Sequence, residues 1–504
     1  MNISTNLENA AFYFPNRVAL SDGGLEITYK EFNDKANRVA TGLVALGVKP
    51  GEYIGLLAPN SADWLIFYFG LLKAGAVAVT YSSQLTANEM SLLINHSKPK
   101  FLFTYDDKIT HLQNLKAEIG IETIISPSGN MTLNQLMGKG TGLFKALDRD
   151  RKDTAAILYT GGTTGIPKGV MLTHENINVS SHNVAFCEHS TEADCVLCFL
   201  PLNHVFGQMH IMNATILSCG CLEILPSFNL DRVLEIIKVG RITKFFSVPT
   251  VYARLLTLTK LKEKLGNIRY CFSAAASMAS EIVREWKELT GLTIHEAYGM
   301  TESASIVTYN HYYPDRHVIG SVGTPAPGVE VQIRDEKGNI LKNGEDGEIC
   351  IRGQNIMEAY LNNPQDTESA FWEESWFRSG DRGHIDENGY LYIVDRIKDL
   401  IITGGENVYP REVEEYLYAR PEIEECTVIG LPDKEWGERV AAFIVPRKDK
   451  CIVIEDIKTF LKTHLSSFKV PKEYFIVNEL PKSPAGKILK RELKKQILEK
   501  TNKM

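Results

Sequence analysis

The sequence predicts an α/β protein in three successive parts: a large N-terminal domain of parallel-type sheets with helices, a small β subdomain, and a small α+β domain at the C-terminus. Three observations carry this. Up to about residue 150, helix-period and strand-period stretches alternate, which is the rhythm of βαβ units and a parallel sheet. From Ser321 to Tyr392 the pattern changes to short strands broken by Gly, Pro, Asn and Asp, a β subdomain capping the α/β part. Mostly polar Arg396 to Asp399 then joins two apolar strands ahead of a lysine-rich end. That places a boundary between units 1–397 and 398–504.

Composition narrows the function classes. The chain has 504 residues, 44% hydrophobic and 23% charged, and its net charge of −7 gives no general pull toward nucleic acid or an anionic membrane. Nine scattered cysteines do not form a disulfide framework and suit a reducing compartment. Cys195 and Cys198 lack a second pair at zinc spacing and lie in an apolar run, so they read as buried structural cysteines, as do Cys219 and Cys221. The stretch from Met1 to Glu8 has no basic region followed by an apolar one. No signal peptide is apparent, and a cytoplasmic location is expected. Trp64 to Val79, broken by Lys73 and Gly75, falls short of the ~20 residues of a membrane span.

Taken in order, Tyr29 to Leu46 reads as an amphipathic helix, Gly51 to Leu57 as a strand, Asp63 to Lys73 as a buried helix and Ala76 to Tyr81 as a core strand. Next comes a glycine-rich loop, Thr160, Gly161, Gly162, Thr163, Thr164, Gly165, then Ile166, Pro167 and Lys168. Its glycines free backbone N–H groups to approach an anion, its threonines add hydroxyl donors, and Lys168 adds charge: a polyphosphate cradle. A Walker A loop runs from Gly-Lys-Ser/Thr straight into a helix. Here Pro167 precedes the lysine and Gly169-Val170 follows it, so the loop should return to a strand. Thr173 and Glu175 offer helix-start chemistry.

Further strings follow. Pro201-Leu-Asn-His-Val-Phe-Gly207 sets His204 and Phe206 among apolar neighbours, with no acidic residue from Pro201 to His210. Ser273 to Met278 is a run of small residues that includes Ala275 and Ala276. Glu296, Ala297, Tyr298, Gly299, Met300, Thr301 and Glu302 combine a ring that can stack on a base, a hydroxyl, and a carboxylate able to hold Mg²⁺. Asp381 follows a tight Ser-Gly turn and is placed to accept a pair of hydroxyls. After the polar linker, Gly404-Gly405 makes a turn ahead of a helix whose first turn holds Glu412 and Glu414. Cys426 to Ile429 and Val440 to Val445 read as strands and Ile454 to His464 as a helix. Lys487 follows a Pro-x-Gly turn that presents it from a loop.

Together these strings resemble the adenylate-forming superfamily, that is, acyl-CoA synthetases, luciferases and the adenylation domains of peptide synthetases, and most of all fatty-acid or aryl-acid CoA ligases. The resemblance implies a cradle for ATP at Thr160 to Gly165 and Lys168, and an adenine site at Ala276, Glu296, Ala297 and Tyr298. It gives Thr301 the α-phosphate, Glu302 Mg²⁺, and Asp381 and Arg396 the ribose. His204, Phe206, Val248, Ala275 and Gly299 fall to the acyl pocket, His204 beside the reacting carboxylate. Lys398 becomes the hinge and Lys487 the catalytic lysine, with Gly404-Gly405 exchanging places with the lysine loop when the C-terminal domain rotates. Relatives that activate amino acids carry an aspartate near the His204 string. Its absence implies a carboxylic acid without an α-amine.

The implied reaction has two halves. A carboxylate oxygen attacks the α-phosphorus of ATP and pyrophosphate leaves; a thiol, that of coenzyme A, then displaces AMP. The first step joins like-charged partners, so it needs charge neutralisation and alignment, not a protein nucleophile. A fatty acid of medium or long chain is the expected substrate, with an aryl acid close behind. A separate acyl carrier protein is the rival acceptor, and a luciferase-type oxidase shares the adenylation strings. The expected partners are small molecules, with a homodimer allowed and no integral membrane segment.

Overall fold

Strand pairing sorts the chain into four sheets among the described residues, which are 1–160, 167–276, 278–483 and 486–501 of the computed structural model. In a seven-stranded sheet, Thr154–Thr160, Val77–Thr80, Tyr53–Leu57, Phe101–Thr104 and Thr123–Ile125 lie side by side in parallel. Lys168–Thr173 and then Ala359–Tyr360 extend it antiparallel. The glycine-rich segment thus connects two strands, as the proline and glycine around Lys168 require. Thr173 caps the next helix, His174–Cys187, by accepting from Asn176 N–H.

In the nine-stranded sheet, Ile294–Met300, Tyr270–Ser273, Lys244–Ser247, Cys195–Cys198, Cys221–Ile224 and Val18–Asp22 run parallel. Antiparallel strands close both edges. Parallel strands must be covered on both faces, and the helix Ala62–Lys73 shows the result. All but Asp63 of its residues are buried, including Lys73, whose ammonium meets Glu8 at 2.6 Å. Cys195, Cys198 and Cys221 are buried and Cys219 is half-buried, none in a disulfide.

The β subdomain is a five-stranded sheet built from Val329–Arg334, Gly347–Gly353, Trp376–Ile385, Phe371–Trp372 and Leu391–Arg396. With the two larger sheets it completes a large N-terminal domain. A smaller C-terminal domain has its own sheet, in which Glu406–Val408, Ile401–Thr403, Gly437–Pro446 and Ile423–Asp433 pair antiparallel and Glu473–Ile476 joins in parallel. The strand expected at Cys426 to Ile429 is the middle of a longer one. Glu414 lies beyond the first turn of the helix Pro410–Tyr418, where it accepts from Val428 N–H and pairs with Lys490. The apolar cores of this domain draw on residues from Ile401 onward, whereas the main N-terminal core ends at Leu391. Between them lies the short helical turn Ile397–Asp399. Next to it the Asp395 carboxylate accepts from the Arg411 backbone N–H at 2.9 Å, and the Arg411 guanidinium donates to the Ile393 carbonyl at 2.6 Å. No helix of the described residues is long and apolar enough to cross a membrane.

Candidate active site

The candidate residues collect where a parallel sheet offers a crevice, at the carboxyl ends of neighbouring strands. Val248 follows Lys244–Ser247, Ala275 and Ala276 follow Tyr270–Ser273, and Thr301 and Glu302 follow Ile294–Met300. These are adjacent strands. Gly299 is required by its surroundings, since a Cβ there would lie 1.7 Å from the Ser305 carbonyl oxygen. Ala275 sits at φ 71°, a left-handed conformation that disfavours any side chain. Thr160 ends its strand opposite Lys168. Gly161, Gly162, Thr163, Thr164 and Gly165 lie outside the described residues, as does Ser277.

The β subdomain delivers the ribose candidates. Asp381 and Arg396 are register partners on adjacent strands, with Arg396 Nε 3.4 Å from Asp381 Oδ1. The Tyr298 hydroxyl donates to Asp381 Oδ2 at 2.7 Å. Burial foremost, then the Asp381 charge, raises the phenol's pKa well above its ordinary value. Three strings far apart in sequence thus form one cluster. Glu296 shares its strand with Tyr298. Its buried carboxyl, with Oε2 unpaired among the described residues, is pushed up to about 8 by desolvation, against the pull of Arg411.

His204 lies in the bend just ahead of a helical stretch with wide π-type turns, Phe206 to Asn213, a form found often at functional sites. The His204 Nδ1 accepts from the Phe206 N–H at 3.2 Å, leaving Nε2 as the protonated donor. Burial and then the Lys487 ammonium lower its pKa to about 4, so the ring is neutral near pH 7. Phe206 is buried, its ring 5.7 Å from Phe272 and 6.4 Å from Phe246, and the His210 ring lies 4.4 Å from Phe272. His210 is fixed from behind by Glu188 at 2.6 Å and Ser305 at 3.1 Å.

Lys487 reaches this crevice from the other domain. Ser483 closes its loop by accepting from Gly486 N–H at 2.8 Å and donating to the Lys487 carbonyl at 2.8 Å. Gly486, at φ 81°, presses on the N-terminal domain: a Cβ there would stand 2.8 Å from Val248 Cγ2. Burial first, and then the Arg396 guanidinium, lowers the Lys487 ammonium to about 8 against the pull of Asp381. Gly404 and Gly405 are not part of this gathering. They form the exposed tip of a two-residue hairpin with φ of 60° and 85°, Gly404 lying against Trp436. Lys398, exposed, lies on the turn between the domains.

Two residues that local spacing did not single out belong here. The Tyr360 hydroxyl donates to Glu302 Oε1 at 2.9 Å, and Asp366 Oδ2 meets Lys168 Nζ at 2.8 Å. Burial above all raises the Glu302 carboxyl, and the Tyr360 bond opposes that rise. A carboxylate linked through Tyr360 to the Lys168 ammonium fits Mg²⁺, which takes one or two carboxylates and completes its shell with phosphate oxygens and water. Among the described residues no cluster of three or more His, Cys, Asp or Glu is placed to hold a metal, so Glu302 would share the ion with the nucleotide. Beside His204 a cavity of about 510 Å³ opens between the domains, with Pro201, Asn203 and Val248 on one wall and Lys482, Ser483 and Gly486 on the other.

Comparison with known proteins gives a consistent result. Residues 7–361 match the family described as AMP-binding enzyme, and residues 412–487 match the AMP-binding enzyme C-terminal domain. The chain is 34% identical to an oxalate–CoA ligase of Arabidopsis thaliana over 99% of both chains. It is 33% identical to a long-chain-fatty-acid–CoA ligase of Bacillus subtilis, over 97% of this chain and 93% of the other. The crystal structure of ATP-bound MatB from Rhodopseudomonas palustris superposes with a TM-score of 0.91 at 34% identity, covering 98% of this chain and 99% of that one.

Proposed function

The chain belongs to the AMP-binding enzyme family and is an AMP-forming acid–CoA ligase, and we propose that it activates a medium- or long-chain fatty acid. The observation that carries the adenylation chemistry is the placement of Lys487 within electrostatic reach of His204, Asp381 and Arg396, with its neighbour Gly486 against Val248. A cation delivered by a second domain to the nucleotide cluster is what a displacement between two anions needs. In this reading the neutral His204 donates from Nε2 to the substrate carboxylate and Thr301 meets the α-phosphate. Asp381 and Arg396 hold the ribose, and Tyr298 packs on the adenine. Mg²⁺ held by Glu302 neutralises phosphate charge when bound. The acid's oxygen bonds to the α-phosphorus as the bond to pyrophosphate breaks.

The boundary falls at Lys398, and the C-terminal domain turns there for the second half-reaction, withdrawing Lys487 and bringing Gly404-Gly405 to the crevice. The cavity beside His204 then admits the thiol of coenzyme A; a separate carrier protein is the competing acceptor. Apolar, buried Phe206, Met209, Ile211 and Val248 support a fatty acyl group. An aryl acid is the second reading, favoured by the aromatic rings of Phe206, Phe246, Phe272 and His210, which pack together. A panel of octanoate, decanoate, palmitate, benzoate and coumarate, assayed with ATP, Mg²⁺ and CoA, decides. Pyrophosphate and AMP are the expected products, with thioester only when CoA is present. ADP as product would overturn the reaction, and turnover of aryl acids alone would overturn the fatty-acid choice.

A further inference from the structure

The Lys168 ammonium has a built seat in this structure. It stands 2.8 Å from Asp366 Oδ2 and 4.7 Å from the centre of the Tyr360 ring. Both partners are fixed by the fold. Tyr360 pairs with Val170 on the strand that leaves the cradle, and its hydroxyl is held by Glu302. Asp366 is oriented by Asn363, which donates to Oδ2 at 2.9 Å and accepts from the Asp366 N–H at 3.0 Å. A lysine is a single point charge, so full engagement with a phosphate means leaving the carboxylate. We propose that Asp366 is a positioning residue that sets ATP affinity: it holds Lys168 in a seat that the triphosphate has to empty.

This rests on the reading of Lys168 as part of the ATP cradle. The pair is partly exposed, 23% and 38% by side chain, so its hold is modest, and freeing the lysine should tighten ATP binding roughly two- to fivefold. The test is calorimetric titration of the full chain with MgATP at low salt, without acid or CoA. It compares wild type, Asp366→Asn, Lys168→Met and the double variant, with thermal melts to check folding and Asp366→Ser as a second substitution. The expected result is tighter ATP binding by Asp366→Asn and Asp366→Ser, a gap that narrows as KCl rises, and no effect of Asp366→Asn in the Lys168→Met background. Unchanged or weaker binding by the Asp366 variants overturns the inference. So does equal tightening in both backgrounds, which would make Asp366 only a repelling charge near the phosphates. A folded wild type that binds no ATP removes the cradle reading itself, and this inference with it.

Discussion

Lys487 offers the sharpest test, because its environment fixes a pH at which adenylation should fail. Burial and the neighbouring Arg396 lower its pKa from 10.5 to about 8. The charged form is the one that neutralises phosphate, so activity belongs to the low-pH side and is lost as pH rises. With a pKa of about 8, the protonated fraction falls from roughly 91% at pH 7 to roughly 9% at pH 9, about tenfold. An ordinary lysine would lose only about 3% over the same range. The quantity to measure is kcat/KM for ATP in the pyrophosphate-releasing half-reaction, which reports ionisation of the free enzyme. Lys487→Arg keeps a charge that does not titrate below about pH 12, so its profile should stay flat to pH 9.5, and dividing the two profiles removes any titration of the substrates. Lys487→Ala should lower adenylation by roughly 10²-fold or more while leaving thiolysis of preformed acyl-AMP within a few-fold of wild type. A wild-type profile flat to pH 9.5, or a loss shared by Lys487→Arg, would refute the assignment. Equal loss of both half-reactions in Lys487→Ala would refute the alternation of domains.

Three other substitutions probe the surroundings. Gly486→Val places a branched side chain at φ 81° and against Val248; a left-handed position costs a side chain roughly 1–2 kcal/mol, so stopped-flow adenylation should slow at least about fivefold while thiolysis is spared. Tyr360→Phe removes the hydroxyl that holds Glu302, and the Mg²⁺ concentration for half-maximal adenylation should rise roughly tenfold, as expected when the outer support of a metal carboxylate is lost; an unchanged Mg²⁺ requirement would disconnect Tyr360 from the metal. Ala275→Gly relieves a left-handed alanine, and chemical denaturation should show no loss of stability or a gain of up to about 1 kcal/mol; a loss above that size would mean the methyl group packs where the strain should dominate.

The parts of the site that could be read from the sequence are those in which backbone and side chain act within one short string. The run from Glu296 to Glu302, Asp381 after its Ser-Gly turn and the turn from Ser483 to Gly486 ahead of Lys487 each declare a local geometry through glycine, proline and hydroxyl spacing, whereas the Gly-Thr loop after Thr160 lies outside the described residues. The parity of the Trp376–Ile385 and Leu391–Arg396 strands that makes Asp381 and Arg396 partners could not be read that way, because register depends on pairing. Tyr360 and Asp366 escaped for the same reason. Nothing in the turn-forming Asn362-Asn363-Pro364 string says that the two-residue strand before it adds to the edge strand leaving the cradle. The longer extent of Ile423–Asp433 beyond Cys426 to Ile429 reflects pairing too, since ten register contacts with Gly437–Pro446 carry polar residues into the strand.

Gly486 stands against Val248, and the lysine that follows it lies within electrostatic reach of Lys398 and Asp399. On the proposed pivot at Lys398 the lysine loop therefore works on a short arm. Withdrawing Lys487 and bringing Gly404-Gly405 in its place would call for a wide turn of the C-terminal domain, which a small tilt could not supply.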